Sequence, residues 1–312
     1  MKNNMPKQYL FIFFIIITTA VYPESNGIKT DEPAWVSYQK GMYEYTKGEY
    51  GKALYYFQQA LDRAKVMPEA EMAIGDVYLT QGEYILAEKQ YEKAYQNQRV
   101  FSIPNQRYTL LYRMAELYER WNKYDKMEAQ LLNIVKESET FSSEKYLFFK
   151  KKLQESYLTK GINRMVKLYR LEDTFATQAH VKLAVFYYQT GRYDEALENS
   201  IFGVLIIISE GIKDLRRWLP DYPESTAYPE FDLQEFLNLG FEYESVEDYL
   251  LDMHIFEHLY YLAAISYVEK NLTQAKYIWN VLAQHPKAGY AGEMARSQLK
   301  NPRVAPLLPA ED

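Results

Sequence analysis

A spacing of 34 residues constrains this chain more than any other feature. Gly41 recurs as Gly75, Gly48 as Gly82, Tyr50 as Tyr84, Ala53 as Ala87, Phe57 as Tyr91 and Ala60 as Ala94, each pair 34 positions apart. A period of that length marks a supersecondary unit that cannot bury its apolar face alone and must stack on its neighbours. The pattern within it predicts a helix ending near Gly48, a short turn at Gly48-Glu49-Tyr50, and a second helix carrying alanine and an aromatic at helical spacing. Small residues let the two helices approach, and the aromatics fill the seam between them.

These residues resemble the tetratricopeptide repeat. The resemblance implies an all-α fold, a right-handed superhelix of antiparallel helix pairs with a concave face that binds peptides. Two repeats, 34–67 and 68–101, carry the pattern in full. It returns over 108–141 at Ala115, Tyr118, Tyr124, Met127 and Leu131, displaced by six extra residues in the Asn97–Gln106 connection. A fourth unit, 177–209, carries Leu183, Ala184, Tyr187, Gly191, Tyr193 and Ala196. Between them, 143–170 keeps helical periodicity around Gly161 but loses the signature, and reads as a degenerate pair. The array is expected over 34–210, followed by an acidic, aromatic insertion at 211–253 and a last pair with a terminal helix at 254–300. In that pair the turn at Asn271-Leu272 looks one residue shorter. About six pairs are thus expected in all, and Ser37 and Lys40 read as the polar outer face of a terminal repeat.

The N-terminus reads as an export signal. Lys2 and Lys7 precede an apolar run, and Thr18-Thr19-Ala20 offers small residues for cleavage, so residues 1–20 form the signal and 21–33 a linker. The stretch Leu10–Val21 has 12 residues, short of the roughly 20 that a spanning helix requires. Cleavage removes two lysines and leaves 34 basic against 42 acidic residues, a net charge of −8. That disfavours nucleic acid and anionic membrane as partners. The expected location is the bacterial periplasm, with an uncleaved inner-membrane anchor as the alternative and no integral span in the mature chain. The chain has no Cys, which excludes disulfides, thiolate zinc sites and lipid attachment through cysteine. Its 31 tyrosines suit packing seams and wet protein interfaces alike. The tail, 301–312, contains three prolines and is expected to be disordered.

In the family that the chain resembles, partners lie against the first helix of each pair. By register this face offers Trp35, Tyr38, Met42 and Tyr45, then Glu69, Met72, Asp76 and Leu79, then Tyr112, Glu116 and Glu119, then Val181, Val185 and Tyr188, and finally Tyr260 and Tyr267. The Lys, Arg and Asn donors that clamp a terminal carboxylate are nearly absent from that set. The expected partner is therefore a protein or peptide segment with apolar anchors and basic flanks. The insertion is the second candidate surface, at Tyr222, Tyr228, Phe231 and Tyr243. From Trp218 to Met253 it holds ten acids and no Lys or Arg, while Pro220, Pro223 and Pro229 forbid one continuous helix. It reads either as a docking site or as a solvated loop whose aromatics tuck against the array.

His254-Ile255-Phe256-Glu257-His258 matches the H-x-x-E-H pattern of inverted zinc peptidases, where two histidines hold zinc and the glutamate activates water. Its helix continues straight into repeat residues Leu259, Leu262 and Ala263, which favours ordinary helix histidines. His180 sits at a packing position. No cofactor is expected and no enzyme. The reading is a non-catalytic scaffold or adaptor of an extracytoplasmic assembly. Exported members of the family serve in periplasmic flagellar motor collars, in outer-membrane assembly and in polysaccharide export, and the collar is the specific expectation. A periplasmic peptide-binding chaperone or an export assembly factor is the alternative, and a zinc metallopeptidase the remote one.

Overall fold

In a computed structural model, residues 32–137, 144–171, 175–224 and 230–304 are described. The export signal expected at 1–20 and Tyr228 lie outside them. The described residues are helical and contain no strand. The described residues divide into two compact units, one running up to Lys65 and the other beginning at Val66.

The first unit is one helix pair, α1 (Ala34–Thr46) and α2 (Tyr50–Arg63). Ala53, Phe57 and Ala60 follow a helical stripe on α2 and are fully buried. The Phe57 ring lies on bare backbone: a Cβ at Gly41 would come within 2.5 Å of it. Gly48 turns the chain at φ +78°, a left-handed conformation that only glycine adopts without steric cost. The next amide, of Glu49, then reaches back to the Glu44 carbonyl at 2.9 Å. Ser37 is not on a solvent face. It is fully buried, and its hydroxyl accepts from Arg63, which also pairs with Glu32 at 3.0 Å.

The second unit repeats the device. Helices α3 (Pro68–Thr80) and α4 (Tyr84–Gln96) pack Gly75 against Tyr91 as Gly41 packs against Phe57. The further pairs are α5 (Gln106–Arg120) with α6 (Tyr124–Glu137), α8 (Thr177–Gln189) with α9 (Tyr193–Leu215), and α12 (Ile255–Val268) with α13 (Leu272–Gln284). All four turn through a left-handed residue, Gly82, Asn122, Gly191 and Lys270 in order. Each is followed by the same backward bond, from the amides of Glu83, Lys123, Arg192 and Asn271, at 2.8 to 2.9 Å. The last turn is therefore as long as the others, and Lys270 takes the glycine position at a cost of about 1 kcal/mol.

The degenerate segment does not stand in the stack. Helix α8 packs directly on α6, with the Tyr187 hydroxyl donating to Glu128 at 2.8 Å and Arg192 pairing with the same carboxylate at 2.8 Å. The intervening α7 (Glu144–Leu168) crosses instead to α9 and α13. It breaks at Gly161, where the freed amide of Ile162 donates to Gln274 at 3.2 Å, and Tyr157 bonds Ser266 at 2.6 Å.

Helix α9 runs on to Leu215, beyond the expected start of the insertion at 211, and nearly all its faces are buried because α7, α8, α12 and the helices of the insertion cover it. The insertion proper forms α10 (Leu233–Gly240) and α11 (Glu244–Asp252), which pack on α9 through Phe236, Leu237, Val246 and Leu250. Asp232 anchors them: it caps α10 through the Glu235 amide at 3.0 Å and accepts from Asn163 at 2.9 Å and Tyr277 at 3.0 Å. After α14 (Gly289–Lys300), residues 301–304 are tied down, since Tyr267 donates to the Pro302 carbonyl and the Arg303 amide to Gln298. No helix among the described residues is long and apolar enough to cross a membrane.

Two substitutions in the first unit separate close approach from helix propensity. Gly41→Ala forces a methyl into Phe57 and is expected to cost about 1–3 kcal/mol. Gly51→Ala meets nothing within 4 Å and is expected to stabilise by about 0.5–1 kcal/mol. Urea midpoints followed by circular dichroism check both, and equal midpoints would contradict the ring-on-backbone contact.

Candidate functional site

In the first unit, Trp35, Tyr38, Met42 and Tyr45 follow one another at three- and four-residue steps and so share a side of α1. Trp35 is 57% exposed, while the other three are half-buried. Tyr38 lies 5.8 Å from Phe57 and Tyr45 lies 5.8 Å from Tyr50, ring to ring, so each tyrosine is held from below and reachable from above. This is an aromatic face on a rigid element.

The corresponding face of the second unit differs from expectation. Asp76 on α3 accepts from the Tyr91 hydroxyl at 2.7 Å and meets Arg113 on α5 at 3.5 Å. Arg113 also pairs with Glu116 at 3.1 Å, and Glu116 with Arg120 at 2.7 Å. Burial pushes the Asp76 carboxyl up, opposed by the Arg113 charge and the Tyr91 hydroxyl. Lys182 on α8 reaches Glu119 at 3.2 Å. Basic residues are thus present on this face, each already matched by a carboxylate. Sequence reasoning missed Arg113 and Arg120, although both fall on the i, i+3, i+7 stripe with Glu116.

Four of the expected groove residues serve packing. Met72, Tyr188 and Tyr260 are buried, Tyr260 completely, because α12 is enclosed by α8, α9, α13 and α14. Tyr112 holds the start of α8, donating to the Phe175 carbonyl at 2.5 Å and accepting from the Ala179 amide at 3.0 Å. In the insertion, Tyr222 and Phe231 are buried and Phe231 packs 5.7 Å from Phe236, so neither forms surface. Tyr243 is half-buried beneath Trp218, ring planes 17° apart and centroids 5.4 Å apart. Trp218, which the sequence reading used only as a boundary, is 56% exposed.

The helix pairs, their common left-handed turn and the small-to-aromatic seam agree with one further finding: residues 38–99 match the tetratricopeptide repeat family model. Over these residues the chain carries tetratricopeptide repeats. It is 28% identical over 155 residues to an uncharacterised protein of Treponema pallidum, an alignment covering 48% of this chain and 41% of the relative, so the chain spans well under half of that protein's length. It is 22% identical over 326 residues to an uncharacterised protein of Borreliella burgdorferi, covering 95% of this chain and 98% of the relative.

Beyond the matched repeats, the H-x-x-E-H stretch at 254–258 is pulled apart. His254 stands exposed ahead of α12 at φ +48°, whereas His258 turns inward. Among the described residues no three His, Cys, Asp or Glu side chains gather as a metal site. The reason for the inward turn lies in the fourth pair, where Ser200 stands sixteen residues after Ala184, as Phe57 stands after Gly41 and Tyr91 after Gly75. The missing ring leaves a small void lined by Val181, Ala184, Ser200 and Val204, into which α12 sends His258 and Tyr261. His180 is likewise a core residue, stacked 5.1 Å from Phe202 with Nδ1 at 2.9 Å from Asn199.

The Nδ1 atom of His258 is buried without a hydrogen-bond partner. Burial, helped by neighbouring His254, holds its pKa down at about 3 from an ordinary 6.5. As pH falls below 6.5 the unfolded chain takes up a proton that the folded chain refuses until about 3, so stability is full above that window and is lost progressively through it. His258→Leu removes the effect. Between pH 8 and pH 5 the wild type is expected to lose about 2 kcal/mol more than the variant by urea titration. Parallel losses would contradict a buried neutral His258.

Proposed function

We propose that this protein is a non-catalytic scaffold that holds protein partners in an assembly outside the cytoplasm, exported to the bacterial periplasm, and that the assembly is the collar of a periplasmic flagellar motor. The observation that carries the scaffold reading is the aromatic face of α1. Trp35, Tyr38, Met42 and Tyr45 present apolar area from a helix whose backbone is fixed by the Gly41–Phe57 contact. Rigid aromatic anchors of this kind lose little conformational entropy on binding. The tetratricopeptide repeat supports the same reading, since its pairs display one helix face after another for contact.

Export is supported by Lys2, Lys7 and the apolar run Leu10–Val21. A mature chain beginning at Val21, read by intact mass from the native envelope, tests it directly. The collar is the narrowest part of the proposal and rests on the resemblance to exported members of the family.

Affinity capture from the native envelope, after gentle lysis at low salt, is expected to return a small and reproducible set of partners. Tyr38→Ala combined with Met42→Ala is expected to lower that recovery by tenfold or more, about 1.4 kcal/mol, with the helical spectrum retained. Recovery of nothing above background contradicts the scaffold. A shifting set of unfolded clients in place of fixed partners identifies a chaperone instead.

A further inference from the structure

Helix α9 ends at Leu215, and the turn that follows carries Trp218 out of the core onto the insertion. Tyr243 covers one face of the indole, and its Nε1 reaches Ser245 at 3.5 Å, which fixes the ring, yet Trp218 stays 56% exposed. From this point α11 runs with Val246 and Leu250 facing the core. Glu244, Asp248 and Leu251 stand at i, i+4 and i+7, so they share the outward side. Leu251 is 42% exposed, and Glu242 flanks the stack.

The charges on this face are uncompensated. Glu242, Glu244 and Asp248 are exposed and take no ion pair among the described residues. Nearby groups are treated differently: Glu247 is paired with Lys287, and Arg217, next to Trp218, is turned to Asp214 at 3.1 Å. From residue 218 to residue 253 the chain has no Lys or Arg to supply a counter-charge. An indole with one open face, an exposed leucine and three unpaired carboxylates thus lie together on a rigid pair of short helices.

We infer that this face docks a Lys- and Arg-rich segment of a protein partner, with an arginine guanidinium over the open face of Trp218 and an aliphatic side chain against Leu251. The inference rests on the scaffold reading and names its partner's chemistry. Tryptophan is the strongest aromatic partner for a cation, and the flat, weakly hydrated guanidinium suits its face better than an ammonium does. Mutually repelling carboxylates gain most from a partner that brings cations to all three, and the same field turns away nucleic acid and anionic lipid. The sequence alone pointed to Tyr222, Tyr228, Phe231 and Tyr243; the fold buries Tyr222 and Phe231, and the docking side falls to Trp218, stacked on Tyr243, with Leu251 and the carboxylates.

A photocrosslinking residue in place of Leu251, in the full chain expressed in the organism that encodes it, tests this. A second one in place of Trp35 serves as reference. The expected result is an adduct at 251 whose partner peptide, identified by mass spectrometry, is rich in Lys and Arg. Its yield should fall about tenfold with Glu244→Lys and Asp248→Lys together, and several-fold with Trp218→Ala, at an unchanged helical spectrum. No adduct at 251, an adduct with an acidic or uncharged peptide or with lipid, or a yield indifferent to those variants overturns the inference. An adduct at 35 without one at 251 overturns this site and leaves the scaffold standing. Adducts at neither position overturn both.

Discussion

The contact between a ring on the second helix of a pair and bare backbone on the first sets the geometry on which the rest depends. Gly41 under Phe57 and Gly75 under Tyr91 allow helix axes to approach to the distance of a methyl-sized gap, and a Cβ at either place would fall 2.5 Å from the ring. The same register puts Ala115 opposite Leu131 and Ala263 opposite Trp279 in later pairs. Close approach then fixes where the chain must turn. Five successive pairs solve that turn alike, with one left-handed residue and one backward amide bond, even where Asn122 or Lys270 replaces glycine.

Where the seam lacks its ring, the structure compensates from elsewhere. Ser200 leaves space that Phe57 or Tyr91 would occupy, and α12 fills it with His258 and Tyr261, drawing the last pair onto α8 and α9. Once α9 is covered on that side, its other apolar faces still need burial. Helix α7 and the two short insertion helices provide it, held by Tyr157 on Ser266 and by Asp232 between Asn163 and Tyr277. Two segments that look peripheral in the sequence thereby become the walls of the second unit's core. The histidine of the H-x-x-E-H stretch is spent in packing for the same reason.

These demands leave different kinds of surface in different places. On α1 the aromatics are propped by α2 and open outward. On α3 and α5 the polar residues are linked to one another through Asp76, Arg113, Glu116 and Arg120, a run that a partner would have to displace. On the insertion Glu244 and Asp248 of α11 are exposed and take no ion pair among the described residues, beside a fixed indole. Reachable apolar area and unbalanced charge coincide at the last of these.

The repeat, its turns and its small-to-aromatic seams were legible in the sequence because they are local: helical period, a glycine at a left-handed turn and a ring sixteen residues from a small residue all act within one pair. The α1 face could be read for the same reason. What lies on the surface of longer-range contacts could not. Nothing within 143–170 says that α7 leaves the stack, since its partners Ser266 and Gln274 are about a hundred residues away. Tyr188, Tyr260, Tyr222 and Phe231 have the composition of an interface, and burial by distant helices makes them core. The sequence by itself determined that this chain is a helical repeat with aromatic seams and an acidic insertion. Only the tertiary structure decided which aromatics those seams consume and which, like Trp218, remain for a partner, because burial depends on where non-neighbouring helices settle.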